Sequence, residues 1–223
     1  MRFAGFDRAA PGFFHELAAE QSRDWFHARK DQYLALWQQP MQALLDEIRS
    51  ALVPVYKGMT LAPAKIFRIQ RDVRFAADKS PYKTHIAGVL SVGARKSQPQ
   101  EGAVAMYVSL GLEEYSGAGH YIFEGDQLAR WRRLVGADKT GKEIAALIAK
   151  TKLEVDAHEI LQRVPKPFEN DHPRAALLRH KGLIVGFPDI PAGMIHKPAF
   201  AGWLVKQAKA AAPVVRWLAK HVA

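Results

Sequence analysis

The chain has 223 residues, 48% of them hydrophobic and 24% charged, and sets 32 Lys and Arg against 22 Asp and Glu for a net charge of +10. That length carries one sizeable hydrophobic core or two small ones, and the basic balance favours anionic partners. Cysteine is absent, which excludes disulfides, thiolate zinc sites, iron–sulfur clusters and cysteine nucleophiles.

The opening MRFAGFDRAAPGFF has no apolar signal-peptide region, and no run of about 18 apolar residues follows. A cytoplasmic protein with no membrane partner is therefore expected. Residues 11–37 read as helix. Pro11 suits a first helical position, and Phe13, Phe14, Leu17 and Ala18 keep helical spacing. Ser22 can cap a second segment carrying Trp25, Phe26, Tyr33, Leu36 and Trp37. Pro40 is expected to restart a helix with Met41, Leu44, Leu45, Ile48 and Leu52 on one face. Pro54, Gly58 and Pro63 mark the following loop.

From residue 65 to 75 the period changes to two. Phe67, Ile69, Val73 and Phe75 share an apolar face that Arg71 interrupts, and Ile66, Arg68, Gln70, Asp72 and Arg74 share the other. A half-buried strand is expected there, then a turn over 76–83 in which Pro81 bars a central strand. Ile86–Val92, Val104–Leu110 and Tyr115–Phe123 are further strands, with a polar loop over 93–102. Helices are expected over 125–135, 140–150, 173–179 and 198–222, with Pro213 restarting or kinking the last, and a strand over Leu183–Phe187. The order of helices, strands and helices predicts one α+β domain over 1–223. Its mostly antiparallel central sheet is flanked by N- and C-terminal helices.

The run FRIQRDVRFAADKSPYKTH resembles the hallmark of a widespread family of bacterial and fungal conserved hypothetical proteins of unknown function. Three further stretches are similar to that family's pattern: FFHELAAEQSRDWFHARKDQYLALWQQP, MYVSLGLEEYSGAGHYIFEGDQLARWRR and LQRVPKPFENDHPRAALLRHKGL. Pro167 follows Lys166 where the family pattern often has Gly. The resemblance covers nearly the whole chain and implies no particular reaction.

Residues 64–88 hold six cations, Lys65, Arg68, Arg71, Arg74, Lys79 and Lys83, against two acids, Asp72 and Asp78. Oriented cations of this density bind anions. Arg68 and Arg74 lie roughly 20 Å apart on a regular strand, too far for one phosphate. Arg74, Lys79 and Lys83 can converge at the turn. Arg71, on the apolar face, needs a carboxylate, carbonyls or a bound anion. Ser80, Tyr82 and Thr84 add hydroxyls, and His85 exchanges protons near neutral pH. The candidate anion-binding set is thus Arg68, Arg71, Arg74, Lys79, Tyr82, Lys83 and His85, with Asp72 and Asp78 as structural partners. The competing reading is a purely structural Arg–Asp network.

Gly117, Ala118, Gly119, His120 and Tyr121 form a second candidate. Here glycine allows close backbone approach to a ligand or another segment, His120 could wall a pocket, and a bulge or tight turn is the plainer explanation. The stretch lacks the rest of a dinucleotide fingerprint. Gly136 to Glu143 imitates a P-loop but has Glu143 where a magnesium-binding hydroxyl belongs. Nine scattered histidines without HExxH spacing support no metal site, and no G-x-S-x-G elbow occurs. Asp171-His172-Pro173 is read as capping the helix over 173–179, through Asp171 or through the turn it begins. Lys206, Lys209, Arg216 and Lys220 sit beside Trp203 and Trp217 in the last helix, which reads as an amphipathic element packed on the core, the alternative being a membrane-surface or nucleic-acid face.

Two functional classes follow. The first is a protein, enzyme or not, that binds a small phosphorylated or carboxylated ligand in a cationic pocket. The alternative is a nucleic-acid-binding protein using the basic 65–85 surface, although no helix-turn-helix, RNP1 or KH motif is present. Neither a cofactor, a catalytic residue nor an oligomeric state is specified.

Overall fold

The computed structural model describes residues 2–74, 77–93 and 103–223. Helix α1 (Ala10–Ala19) carries Pro11 in its first turn, where a missing N–H leaves no bond unmade. Helix α2 (Arg23–Ala28) is capped by Ser22, whose Oγ accepts from the Trp25 N–H at 3.2 Å. Helix α3 (Lys30–Tyr33) runs through a π-turn over Leu34–Gln38 into α4 (Gln39–Leu52). Pro40 therefore continues a helix instead of restarting one. The wider turn before it accommodates the missing N–H and the clash that proline brings to the preceding turn. Met41, Leu44, Leu45, Ile48 and Leu52 form the fully buried stripe of α4.

The strands are β1 (Thr60–Leu61), β2 (Lys65–Ile66), β3 (His85–Gly93), β4 (Ala103–Gly111), β5 (Tyr115–His120), β6 (Glu154–Asp156) and β7 (Leu183–Gly186). Their order is β1–β3–β4–β5–β7–β6, with β2 also paired to β3. Every strand pairing among the described residues is antiparallel. Helices α5 (Asp126–Gly136), α6 (Asp138–Thr151) and α7 (Ala175–Arg179) precede the long α8 (Ala199–His221), which continues through Pro213.

One face of the sheet lies under α4 and α8. Ile86, Leu90 and Val92 of β3, with Met106, Val108 and Leu110 of β4, pack there with Phe200, Leu204, Ala208 and Val215 of α8. Burying each such large side chain contributes about 1.5–3 kcal/mol. The architecture is α+β with a mostly antiparallel sheet and helices from both ends of the chain. Among the described residues no helix is long and apolar enough to cross a membrane.

The expected strand over 65–75 shrinks to Lys65–Ile66. Beyond it the two arms are held by separate contacts: Phe67 N–H to Ala87 O at 2.9 Å, a single bridge between Gln70 and Tyr82, Arg71 N–H to Pro81 O at 2.9 Å, and Lys83 N–H to Ile69 O at 2.9 Å. Side chains occupy the positions a ladder would use. The Lys83 ammonium donates to Arg68 O at 3.1 Å and the Lys79 ammonium to Val73 O at 2.9 Å. Asp72 accepts from the Arg74 N–H and Asp78 from the Ser80 N–H. Local side-chain bonds of this kind compete directly with strand pairing. Phe75 and most of the expected 93–102 loop lie outside the described residues.

Three smaller differences are local. The strand expected over Tyr115–Phe123 ends at His120, and the Phe123 N–H donates instead to Lys181 O at 2.6 Å. The strand β6 is three residues long, too short to leave a periodic signal. Before α7, His172 Nδ1 rather than Asp171 accepts from the Arg174 N–H, at 3.1 Å.

Candidate functional site

The sheet face opposite α4 and α8 carries a groove of about 660 Å³. Its volume lies within the usual range for small-molecule sites. Parity fixes which residues of β3 reach it. A Cβ on Gly88 would strike the Leu45 side chain of α4, so Gly88 faces the helices and Val89 faces the groove. Along β5 and just past its end, Tyr115 and the consecutive residues from Gly117 to Tyr121 all border the groove.

On β4 the alternation is broken on purpose of geometry. The ladder to β3 shifts register between Leu90 and Ser91, and the ladder to β5 shifts between Val104 and Tyr107. The extra residue is absorbed in β4, where Ala105 and Met106 are both fully buried. A bulge re-aims the side chains that flank it. Val104 and Tyr107 consequently share the groove face.

The groove floor is aromatic. Phe67 and Tyr107 ring centroids lie 6.2 Å apart, and Tyr107 and Tyr115 lie 6.1 Å apart. Tyr115 is 45% exposed and Tyr121 57%, high values for aromatic side chains. Burial above all pushes the Tyr107 and Tyr115 phenols up from their ordinary range, and the nearby Asp156 carboxylate adds to the effect on Tyr115. All three tyrosines stay protonated at neutral pH. At the far end, the Tyr121 ring stacks on His158 at 4.2 Å and its hydroxyl lies 2.6 Å from His158 Nδ1. Asp156, on β6, lines the same end.

The opposite end is cationic. Lys65 pairs with Val89 across an antiparallel ladder, so both side chains stand on the groove face. Its ammonium lies 5.6 Å from the Phe67 ring centroid, and the Lys83 ammonium lies 6.0 Å from the same centroid. Partial burial, then repulsion from Arg68 and Arg71, holds the Lys83 ammonium below its ordinary pKa. His85 begins β3 with the same parity as Ala87 and Val89. Burial, then the Lys83 and Arg71 charges, holds its imidazole below the ordinary value, while Glu113 acts in the other direction.

The other cations singled out in the sequence are tied into the 68–83 turn. Arg68 and Arg74 both pair with Asp72, at 3.9 and 2.7 Å. The Arg74 guanidinium, through its hydrogen bonds, holds the Asp72 carboxyl well below the usual carboxylate range. Arg71 pairs with Asp78 at 3.0 Å and donates to Tyr82 O at 3.4 Å, with its side chain 27% exposed. The Asp78 carboxyl is lowered first by the Ser80 N–H and last by Arg71. Lys79 caps the Val73 carbonyl. Tyr82 is a core residue stacked on Phe26 at 4.5 Å, and its peptide N–H and C=O both bond the Gln21 amide. A second cavity of about 280 Å³, lined by Lys30, Tyr33, Gln38, Arg68 and Gln70, shares Phe67 with the groove.

Of the sequence candidates, then, Lys83 lies beside Phe67, which lines the groove, and His85 starts β3, while Arg68, Arg71, Arg74 and Lys79 are bonded within the 68–83 turn. Gly117 and Gly119 line the groove from β5, and Tyr121 from just past its end. His120 also lines the groove, with its ring stacked on Phe123 at 5.0 Å and Nε2 3.2 Å from Gln127 Oε1. Lys65, Phe67, Tyr107, Tyr115, Asp156 and His158 were not singled out as site residues. The alternate spacing of Tyr115, Gly117, Gly119 and Tyr121 was the available signal.

No curated protein and no solved structure matches the chain. A family model described as "Conserved hypothetical protein (DUF2461)" matches residues 9–217. That span is nearly the whole chain, and the protein belongs to this conserved hypothetical family.

Proposed function

We propose that this protein binds a small anionic ligand, phosphorylated or carboxylated, whose apolar or flat body lies on the open sheet face. The observation that carries the reading is the pair of ammonium groups, Lys65 and Lys83, set over one ring at one end of an aromatic groove. An anion placed there gains two charge-assisted bonds, and His85 adds a third when protonated. In this reading Arg68, Arg71, Arg74 and Lys79, with Asp72 and Asp78, serve to hold the turn that carries Lys83.

The test is calorimetric titration with hexyl phosphate and hexyl sulfate, for the wild type and for the Lys65→Gln/Lys83→Gln double variant. The wild type should bind both probes, and the double variant should lose about tenfold or more, the loss of one charge-assisted bond or two. Absence of binding to every anionic probe, or equal affinity in the double variant, overturns the reading.

A second reading keeps the same face for single-stranded nucleic acid. The net charge of +10 and the exposed aromatic sheet favour it. It predicts an affinity for oligonucleotides that falls steeply with salt, with a logarithmic slope of about −0.7 per phosphate neutralised.

A further inference from the structure

The groove is polar end to end. Lys65 lies on β2 at one edge of the sheet, and Asp156 lies on β6 at the other. Five strand-to-strand steps separate them, roughly 24 Å at about 4.8 Å each. Between the two ends run the Phe67, Tyr107 and Tyr115 rings, with the Tyr115 hydroxyl lying over Gly117, 2.9 Å from where a Cβ would stand. A bare anion would engage one end only. An acyl chain would fill the middle but would desolvate the Asp156 carboxylate at the far end without offering it a donor.

We infer that the ligand is a free nucleoside phosphate. This inference rests on the anion-binding reading above and names the ligand class. Its phosphates meet Lys65 and Lys83 at the Phe67 end. Its base lies against the Tyr107 and Tyr115 rings, as bases do on exposed aromatic side chains. Its ring or sugar donors point to Asp156, which already accepts the Ala157 N–H at one oxygen and has a second oxygen to offer. Tyr121 and His158 border the same end. The charge polarity decides between a free nucleotide and a strand of nucleic acid. A polynucleotide laid along the groove would bring phosphates against Asp156, whereas a single nucleotide keeps its charge at the lysine end.

The experiment is isothermal titration with the four nucleoside diphosphates, adenosine, hexyl phosphate and a twelve-residue oligodeoxyadenylate. It uses the wild type, Tyr115→Ala and Asp156→Asn, each checked by its melting temperature without ligand. At least one nucleoside diphosphate should bind about tenfold more tightly than either adenosine or hexyl phosphate. Tyr115→Ala should weaken that binding about tenfold, the scale of one base–aromatic stack, and weaken hexyl phosphate by much less. Asp156→Asn should weaken the nucleotide and not hexyl phosphate, which gives a second reading should Tyr115→Ala fold poorly. Binding of hexyl phosphate with no nucleoside diphosphate overturns the inference and leaves the anion reading standing. Silence of both overturns both. Oligodeoxyadenylate binding more tightly than every diphosphate, with the same sensitivity to Tyr115→Ala, overturns the inference in favour of nucleic acid.

Discussion

Val104 and Tyr107 stand three positions apart on β4 and yet line the same groove. In a regular strand they would project from opposite faces. The bulge buries Ala105 and Met106 together and returns Tyr107 to the open side, between Phe67 and Tyr115. Tyr107 is thus placed by backbone geometry that also closes the core beneath it. Tyr107→Ala should weaken binding of hexyl phosphate or nucleotide, while an inserted second bulge residue should unfold the sheet before binding can be measured. Equal ligand affinity in Tyr107→Ala would remove Tyr107 from the site.

Gly119 is held by its backbone. It sits at φ +128°, and a Cβ there would lie 2.1 Å from Leu183 O of the neighbouring strand. Gly119→Ala should cost about 2 kcal/mol or more, from strain and displaced strand pairing. Gly12, inside α1 with no atom within 4 Å of an added Cβ, is the control. Gly12→Ala should be neutral or stabilising by up to about 1 kcal/mol. Urea denaturation checks both, and a Gly119→Ala variant as stable as wild type would contradict the strand geometry.

Arg71 interrupts an otherwise apolar segment and is half-buried against Asp78, with its Nε enclosed. Arg71→Met should lower stability by about 1 kcal/mol, a charge-assisted bond reduced by the exposure of its carboxylate partner. Lys79→Met, at an exposed cap on Val73 O, should do less. Equal melting temperatures for the two variants would show that the Arg71–Asp78 pair does not hold the turn.

The site was only partly legible in the sequence, and the reasons are physical. Buried stripes such as Met41 to Leu52 follow period 3.6 and were readable, as were the strands β3 and β4. The 65–75 segment has strand periodicity, but Asp72, Asp78, Lys79 and Lys83 satisfy its backbone groups locally, and residue pattern does not record that competition. The density of Arg68, Arg71 and Arg74 drew the expected site to the turn. Their pairing with Asp72 and Asp78 is set in three dimensions, since paired and ligand-binding arginines have the same sequence appearance. The groove itself joins Phe67 to β3, β4, β5, β7 and β6 across the sheet, and the bulge that completes it has no one-residue signature.

Acid should weaken the fold and strengthen anion binding. His85, His120 and His180 are each held below 6.5, by burial first. In the unfolded chain they take protons near 6.5, before the folded chain does. The unfolded state therefore binds more protons as pH falls from 6.5 towards their folded values, and stability drops over that window. The urea midpoint should fall between pH 7.5 and 5.5, and a flat or rising midpoint would contradict these environments. An anion at the Lys83 end raises the His85 pKa, so hexyl sulfate, whose charge is constant, should bind more tightly at pH 6 than at pH 8. His85→Gln should flatten that dependence.

The most direct test of the groove is a titration of ¹⁵N-labelled protein with hexyl phosphate, followed by amide chemical shifts. The account predicts the largest changes at Lys65, Ile66, Tyr107, Gly117 and Gly119, on β2, β4 and β5. Changes confined to the 68–79 turn would return the site to the paired arginines, and changes at α8 alone would place it on the helical side; either result contradicts the groove.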